Sequence, residues 1–339
     1  MAAKNKAGKT AIVALALMLS VTVLPASAAA ETLVAGGRAV GIRMSTDGVV
    51  VAGVNAVETA SGAVSPAGDA GLQVGDIIVR VGPAEIHTAQ DFVAAAGKLT
   101  GEGVTVTATR RGETRQFTVT PVKDADGVLR LGLWLRSGVS GVGTVTFYDP
   151  ATHVYGALGH GITDADTGDI LPIGSGTLTD ARIVGIVKGQ SGTPGELSGH
   201  ADENAVCGSI VMNTAYGIFG ILDTAEEGLS GTMECGEPAV GDAVILTTLS
   251  DNTVGRYTVR IDRVYHDPSG DRIQLTVTDA TLLAATGGIV QGMSGSPIVQ
   301  NGKLVGAVTH VFVNDPTKGY GLSVQDMIDE VAAAAQKAA

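Results

Sequence analysis

Short apolar runs, separated by Gly, Asp, Asn and Pro, follow one another along most of this chain of 339 residues. Runs of this kind, rich in β-branched residues, are typical of strands, and the residues between them are typical of tight turns. From Leu131 onward the runs recur at regular spacing, which favours an all-β barrel or sandwich. In that part of the chain only Val324 to Gln336 has a helical pattern.

The stretch from Val40 to Val122 differs, because a helical pattern interrupts its strands. Asp47-Gly48 and Gly75-Asp76 are turn signals ahead of β-branched runs. Thr88 can cap a helix that extends to Leu99, and two alternating runs follow it. We therefore expect a small α/β domain ahead of the all-β part.

The string AGLQVGDIIVRVGPAEI in this stretch, with the helix and paired strands behind it, resembles a bacterial PDZ domain. PDZ domains add an extended peptide to a sheet edge, and backbone N–H groups hold the terminal carboxylate of that peptide. The resemblance puts Val40, Gly41 and Ile42 in the carboxylate-binding loop and makes peptide C-termini expected partners. The alternative is that these residues are only the first strand of the domain and bind nothing.

The N-terminus has the pattern of an export segment. Lys4, Lys6 and Lys9 precede an uncharged stretch over residues 10–30, which Pro25 interrupts ahead of a small-residue site at 26–28. A cleaved signal peptide and a retained membrane anchor both fit this pattern. Either one predicts that the rest of the chain works outside the cytoplasm, secreted or at a membrane surface.

The composition of the chain limits the kinds of partner and ligand that we expect it to bind. The net charge of −12 comes from scattered acids, and without clustered Lys and Arg we expect no nucleic-acid partner. Cys207 and Cys235 are the two cysteines, and an extracytoplasmic setting permits a disulfide between them without requiring one. Two cysteines lack the ligand count of a structural metal site, so we expect no metal and no cofactor.

The string Gly-Met-Ser-Gly-Ser-Pro at residues 292–297 has the composition of a nucleophile loop. Glycines on both sides let the main chain curl and let a substrate carbonyl approach Ser294. The N–H groups of Gly292 and Ser294 are then the candidate oxyanion donors. Asn301-Gly302 between two apolar runs predicts a β-hairpin behind the loop. Ser296 is the competing nucleophile, and an unreactive Gly/Ser turn is the other interpretation.

A serine nucleophile needs a base, and six histidines are available. His160 lies between glycines behind an apolar run and is the candidate, with His200 as its main rival. The third group should orient the imidazole, and Asp279 at the end of a strand pattern is the candidate. Three other acids remain open for that role: Asp164, Asp166 and Asp180.

Two strings carry a second resemblance: GTVTFYDPATHVYGALGHGITD and TGGIVQGMSGSPIVQNGKLVGAVTHVFVNDPTKGYG. Behind a PDZ-like unit and an export segment, they resemble the SpoIVB (stage IV sporulation protein B) peptidases. The resemblance implies a mainly β protein whose PDZ-like α/β domain precedes a chymotrypsin-like double β-barrel. It also implies a catalytic triad of His160, Asp279 and Ser294.

The same resemblance implies a role. SpoIVB peptidases act between the two forespore membranes, trim their own N-terminal region, and cleave a regulator of a membrane-embedded protease in sigma-factor activation. The expected organisation is an export segment over residues 1–30, a PDZ-like domain over 34–123 and a peptidase domain over 130–339. Two departures stand out: the stretch from Glu31 to Arg38 leaves little room for self-cleavage, and Asp279 lies unusually close before Ser294. A non-catalytic PDZ adaptor with a degenerate barrel is the alternative function.

Overall fold

The computed structural model of the protein describes residues 32–223, 231–250, 253–267 and 270–338. The predicted export segment, residues 1–30, lies outside these residues. Strands dominate the described chain, so the prediction of a mainly β protein is confirmed. None of the described helices is long and apolar enough to cross a membrane.

The strands before residue 150 are β1 (Thr32–Ala35), β2 (Ala39–Val54), β3 (Val57–Thr59), β4 (Gly62–Val64), β5 (Ile77–Val81), β6 (Ala84–Glu85), β7 (Val104–Arg110), β8 (Glu113–Val119), β9 (Val122–Lys123), β10 (Leu129–Arg130) and β11 (Leu133–Tyr148). The later strands are β12 (Val154–Ala157), β13 (Ser175–Val187), β14 (Glu196–Thr214), β15 (Gly217–Leu222), β16 (Met233–Glu234), β17 (Gly241–Ser250), β18 (Thr253–Asp267), β19 (Gly270–Val277), β20 (Pro297–Gln300), β21 (Lys303–Phe312) and β22 (Asp315–Ser323). The helices are α1 (Pro66–Asp69), α2 (Ala89–Ala96), α3 (Ala280–Thr286) and α4 (Val324–Ala338).

The chain divides into two compact units, each made of separate stretches. The first unit holds the residues up to Arg43, Ser140–Ile162 and those from Gly176 onward, and the second holds Met44–Val139 and Thr163–Ser175. The predicted ranges 34–123 and 130–339 assumed two consecutive blocks. The strands β2 and β11 begin in one unit and end in the other, which a pattern read along the chain does not reveal.

The second unit is a small α/β structure. Its strand β5 pairs with β2, β6 and β7, and β7 pairs with β8. Thr88 caps α2, as its sequence predicts, and Asp91 completes a capping box with it. The carboxylate of Asp76 is fully buried and bonds the Arg110 guanidinium at 2.6 and 2.7 Å. This paired buried charge ties the predicted turn at Gly75-Asp76 to β7.

One predicted turn of the second unit is wrong. Strand β2 continues through Asp47-Gly48, with Gly48 at φ +130°. A Cβ at Gly48 would lie 2.6 Å from the Ile78 carbonyl oxygen. The glycine therefore permits close approach of two paired strands rather than a reversal of the chain.

The first unit contains a closed six-stranded barrel in the order β17-β18-β19-β22-β21-β20. Its apolar core includes Ile245, Ile261, Ile273 and Met293, all fully buried. The β20–β21 turn at Asn301 and Gly302 has φ values of +52° and +77°, and the flanking register pairs Gln300 with Lys303. The predicted hairpin behind the candidate nucleophile loop is therefore confirmed.

The other strands of the first unit lie in the order β16-β1-β11-β12-β15-β14-β13. Strand β13 also pairs with β2, and β2 makes an additional pairing with β11. A second apolar cluster packs Phe219 and Leu246 against Val324 and Met327 of α4. The C-terminal helix predicted from the sequence is thus anchored to this unit through its apolar face.

Candidate active site

Ser294 lies on a tight loop between α3 and β20 in the first unit. Gly292 and Gly295 have φ values of +95° and +94°, which L-residues rarely adopt. A Cβ at Gly295 would lie 2.0 Å from the Thr144 carbonyl oxygen and 2.5 Å from the Leu158 nitrogen. Glycine at 295 is therefore required for the close approach that shapes the loop.

Residues of β11 donate hydrogen bonds to the backbone carbonyls of this loop. The Thr144 N–H donates to the Ser294 carbonyl at 3.0 Å, and the Thr144 hydroxyl donates to the Gly292 carbonyl at 2.9 Å. The Thr146 hydroxyl donates to the Gly295 carbonyl at 2.8 Å. Both threonines are buried, so these bonds are shielded from water and fix the loop's main chain.

The two serines of the loop differ in what their hydroxyl groups can do. The Ser294 hydroxyl is partly buried and donates to the Thr309 carbonyl at 2.7 Å. Ser296 is fully buried, and its hydroxyl oxygen has no hydrogen-bond partner among the described residues. Ser294 is therefore the better placed of the two candidates to meet a substrate.

The predicted oxyanion donors are the N–H groups of Gly292 and Ser294, which have no hydrogen-bond acceptor in the described part of the chain. By contrast, the neighbouring N–H groups of Met293, Gly295 and Ser296 donate to carbonyls within the unit. Two unpaired N–H groups beside a serine hydroxyl suit a carbonyl oxygen that gains negative charge.

His160 follows a main-chain kink behind β12, where Leu158 and Gly159 both have positive φ. The next residues are held in place by Asn213, whose amide bonds both the N–H and the carbonyl of Ile162 at 2.8 Å. Nδ1 of the His160 ring lies 2.9 Å from the Gly161 carbonyl oxygen. That contact favours a proton on Nδ1 and leaves Nε2 as the basic nitrogen of the neutral ring.

Burial lowers the pKa of His160 below its ordinary value of 6.5, and the Gly161 carbonyl opposes that shift only in part. A base must be neutral before it can accept a proton. The environment of His160 therefore keeps the ring in its basic form at neutral pH.

The segments that carry His160 and Ser294 both contact β21 near Thr309 and His310. A Cβ on Gly159 would lie 3.0 Å from the Thr309 methyl, so the histidine loop packs on Thr309. The His160 ring lies 4.7 Å, centroid to centroid, from the ring of His310. Since Thr309 also accepts the Ser294 hydroxyl, both predicted residues lie around the same two residues of β21.

A cleft of about 540 Å³ opens at this point. His160 and His310 line it together with Arg272, and two tyrosines complete the walls: Tyr265 and Tyr320. Burial, His160 and Arg272 all lower the pKa of His310. That His310 and Arg272 line the same cleft as His160 could not be predicted from the sequence, because they belong to strands far from His160 along the chain.

Asp279 lies at the N-terminus of α3. It caps α3, with one carboxylate oxygen accepting from the N–H groups of Thr281 and Leu282 at 2.9 and 3.0 Å. The other oxygen accepts from the Thr258 N–H at 3.3 Å. The backbone N–H of Leu282, with those of Thr258 and Thr281, lowers the pKa of Asp279. The hydrogen bonds described for Asp279 thus go to the main chain, and its place in a triad stays a prediction.

The other candidate acids and the rival histidine are engaged elsewhere. Arg136 bonds Asp164 at 2.6 Å and Asp166 at 2.5 Å in the second unit, and Arg38 pairs with Asp180 in the first. His200 is exposed on β14, opposite Arg182 of β13.

The residues predicted as a PDZ loop lie in β2, within the first unit. Val40 is fully buried and Ile42 nearly so. A Cβ on Gly41 would lie 2.4 Å from the Thr179 hydroxyl oxygen. These residues form a closely packed strand rather than a loop, and peptide binding by them stays a prediction.

The arrangement supplies the parts of acyl transfer: a hydroxyl nucleophile, an imidazole base, and unpaired N–H groups beside the nucleophile. Among the residues that the structure describes, no three His, Cys, Asp or Glu side chains cluster as metal ligands do.

Comparisons with known proteins agree with this chemistry. The family model for SpoIVB peptidase S55 matches residues 127–328, and a PDZ domain model matches residues 39–120. No curated protein matches the chain.

Three solved structures illustrate what the chain is similar to. The Rv3671c protease of M. tuberculosis in its active form is 16% identical, covering 57% of this chain and 74% of that one, with a TM-score of 0.31. The thermostable serine protease AL20 from an extremophilic microorganism is 12% identical, covering 58% and 91%, with a TM-score of 0.35. The PDZ domain of an SdrC-like protein from Listeria monocytogenes is 23% identical, covering 26% and 87%, with a TM-score of 0.22.

The match to the peptidase model covers more than half of the chain and includes the loops of both His160 and Ser294. The chain therefore belongs to the SpoIVB peptidase S55 family, and it is a serine peptidase that carries a PDZ domain.

Proposed function

We propose that this protein is an exported serine endopeptidase in which Ser294 is the nucleophile and His160 the general base. The observation that carries the proposal is that the Ser294 hydroxyl and the His160 ring contact adjacent residues of β21, which are Thr309 and His310.

In the proposed reaction the Ser294 hydroxyl leaves the Thr309 carbonyl and donates to Nε2 of His160. Its oxygen attacks the scissile carbonyl carbon as His160 accepts the proton. The developing oxyanion accepts hydrogen bonds from the N–H groups of Gly292 and Ser294. His160 then gives the proton to the leaving amine, and the acyl group of the substrate remains joined to Ser294 as an ester. Water hydrolyses this ester by the same steps, with His160 again as the base.

The His160 ring must stay oriented while it carries the extra proton. The Gly161 carbonyl 2.9 Å from Nδ1 supplies one acceptor for the Nδ1 proton. The family resemblance assigns this role to Asp279, and the proposal keeps Asp279 as the triad acid that such peptidases use.

A fluorophosphonate label tests the nucleophile. It reacts only with an activated serine, so the wild-type protein should be labelled and Ser294→Ala should not. Ser296→Ala is the matched control, because its hydroxyl is buried and has no partner among the described residues. Labelling that survives Ser294→Ala would assign the nucleophile to another serine. Absence of labelling from the folded wild type would support the alternative of a non-catalytic PDZ adaptor.

The proposed substrates and location of the peptidase are inferred from its family. We extend the proposal to cleavage of the protein's own N-terminal region and of a regulator of a membrane-embedded protease, outside the cytoplasm, during sporulation signalling. Peptide C-termini are the proposed ligands of the PDZ domain. Mass spectrometry of the exported wild-type and Ser294→Ala proteins tests export and self-cleavage together. Removal of residues 1–30 from both supports export, and a further cleavage found only in the wild type supports self-processing.

A further inference from the structure

The cleft beside His160, here called the histidine cleft, has walls that carry hydrogen-bond donors and positive charge. It is lined by Arg272 and His310 as well as His160, and by the two tyrosines, Tyr265 and Tyr320. None of the described residues that line it is Asp or Glu. Although the chain has a net charge of −12, the histidine cleft therefore presents donors and positive charge to whatever enters it.

Four neighbouring strands of the barrel build one side of the cleft. Ile273 of β19 is fully buried in the barrel core, and side chains alternate along a strand, so Arg272 points outward. Arg272 lies opposite Tyr265 of β18, and His310 of β21 lies opposite Tyr320 of β22. The barrel order β18-β19-β22-β21 therefore brings these four side chains to one outer face.

The two tyrosines are held by contacts with their own neighbours. The Tyr265 hydroxyl donates to Oε1 of Gln274 at 2.8 Å, and the Arg263 guanidinium lies 5.4 Å from the centroid of the Tyr265 ring. The Tyr320 ring packs against Phe312 with 4.5 Å between the centroids. The tyrosines therefore form preformed apolar walls, and Arg263 adds a second cation beside one of them.

The cleft adjoins the residues that carry out the proposed reaction. Thr309, whose carbonyl accepts the Ser294 hydroxyl, lines the cleft, and so does His160. A substrate whose scissile carbonyl lies at Ser294 therefore has its neighbouring residues beside the cleft.

The charges around His310 favour an anion in the cleft. Burial, His160 and Arg272 all lower the pKa of His310, so its two neighbours disfavour a further positive charge there. Burial raises the pKa of Asp326 on α4 and Arg272 opposes that shift, but Asp326 is not among the residues that line the cleft. A substrate carboxylate between Arg272 and His310 would offset the repulsion and accept charge-assisted hydrogen bonds from both.

We infer that the histidine cleft selects substrates that have an acidic side chain near the scissile bond, and that this carboxylate binds Arg272 and His310. The methylene groups of the Asp or Glu lie against Tyr265 and Tyr320. The inference rests on the proposed function, because it assigns a substrate class to the same peptidase site. Arg272 and His310 are thus specificity-determining residues and take no part in the transfer of the Ser294 proton.

The test begins with the wild-type full chain. Labelling of one sample with the fluorophosphonate reports an activated serine without any peptide substrate. A second, unlabelled sample is incubated with a pool of random synthetic peptides that are acetylated and amidated, so that no terminal carboxylate can replace the side chain. Mass spectrometry of the products should show Asp or Glu enriched at one fixed position relative to the cut. Changing that residue of the best substrate to Asn or Gln should lower kcat/KM at least about tenfold, because charge-assisted hydrogen bonds are lost.

Variants locate the selectivity in the cleft. Arg272→Glu should lower kcat/KM for the acidic peptide at least about tenfold and raise it for the matching Lys peptide. Arg272→Lys keeps the charge and should keep the preference for the acid. Because Arg272 also acts on Asp326, Arg272→Gln is the milder variant, and it should remove most of the preference even if the charge reversal unfolds the chain. Arg182→Glu is the matched control, since it changes the net charge equally at an exposed position of β13 and should leave the preference unchanged.

The two proposals fail in different ways. Fluorophosphonate labelling without preferential cleavage of acidic peptides would overturn the inference and leave the proposed function standing. A preference for acidic peptides that persists in folded Arg272→Gln would also overturn the inference. A folded wild-type protein that is neither labelled nor able to cleave the pool would overturn the proposed function and the inference together.

Discussion

The imidazole ring of His160 lies 4.7 Å from that of His310, with an angle of 36° between the ring planes. Two imidazolium ions at this separation would repel each other, so the state in which both rings are charged is disfavoured. Accordingly, burial lowers the pKa of each histidine, and His160 lowers the pKa of His310 further. The pair makes both the reaction and the stability of the first unit depend on pH.

The first prediction concerns the pH profile of hydrolysis. His160 can act as a base only when neutral, and its pKa lies below 6.5. We expect the acidic limb of the kcat/KM profile to have its midpoint below pH 6.5. Initial rates on a cleaved peptide, followed as the pH falls from 8 through 6.5, measure it. A midpoint above 6.5 would contradict the role of a buried, neutral base.

The second prediction concerns stability. In the unfolded chain His310 binds its proton near pH 6.5, whereas the folded protein binds it only at lower pH. The unfolded state therefore binds more protons just below pH 6.5, so the free energy of unfolding should decrease as the pH falls through that window. His310→Gln should flatten this dependence between pH 7.5 and 5.5 in urea unfolding. His200→Gln, an exposed substitution in the same unit, serves as the control and should leave the slope unchanged.

The third prediction concerns the contact between β11 and the nucleophile loop. Thr144→Val keeps the side-chain shape but removes the hydroxyl that donates to the Gly292 carbonyl. We expect a loss of about 1 to 3 kcal/mol in stability, because a partly buried carbonyl loses its partner, together with a lower kcat. Thr247→Val is the matched control. Its hydroxyl is buried without a partner among the described residues, so its removal should be neutral or stabilising. Equal effects of the two substitutions would show that the Thr144 bond does not hold the loop.

Local signals in the sequence predicted the elements nearest the active site. Asn301-Gly302 specified the β20–β21 hairpin because both positions need positive φ, and glycines framed both Ser294 and His160. These features depend on residues a few positions apart, so one stretch of sequence contains all of the information.

The rest of the site depends on which strands pair. In the sequence, nothing distinguishes Thr144, Arg272 and His310 from ordinary strand residues. They come to the site because β11 contacts the nucleophile loop and β19 pairs with β22. The interleaving of the two units through β2 and β11 was hidden for the same reason. A hydrophobic pattern fixes which face of a strand is buried but not which strand lies beside it.

The fourth prediction concerns the geometry of the nucleophile loop. Gly295→Ala puts a methyl group 2.0 Å from the Thr144 carbonyl oxygen at a φ of +94°, so the loop must move. We expect loss of fluorophosphonate labelling and a clear loss of stability. Gly302→Ala is the matched control, because its φ is also positive at +77° but no atom lies within 4 Å of the added Cβ. It should cost only about 1 to 2 kcal/mol of backbone strain and keep its labelling.

The last prediction separates the two roles of Asp279. As the cap of α3 it accepts from the N–H groups of Thr281 and Leu282, and asparagine can keep these bonds while alanine cannot. We expect Asp279→Ala to lower the free energy of unfolding by about 1 kcal/mol and Asp279→Asn to lower it much less. Both effects should be measured by urea unfolding at pH 7, where the carboxylate is ionised.

The hydrolysis rate of the Asn variant then reports on catalysis without the loss of the cap. A fall in kcat of about 10⁴ with stability retained would establish Asp279 as the triad acid, since asparagine cannot stabilise the imidazolium of His160. An unchanged kcat would restrict Asp279 to capping α3 and leave the Gly161 carbonyl as the acceptor for His160 Nδ1.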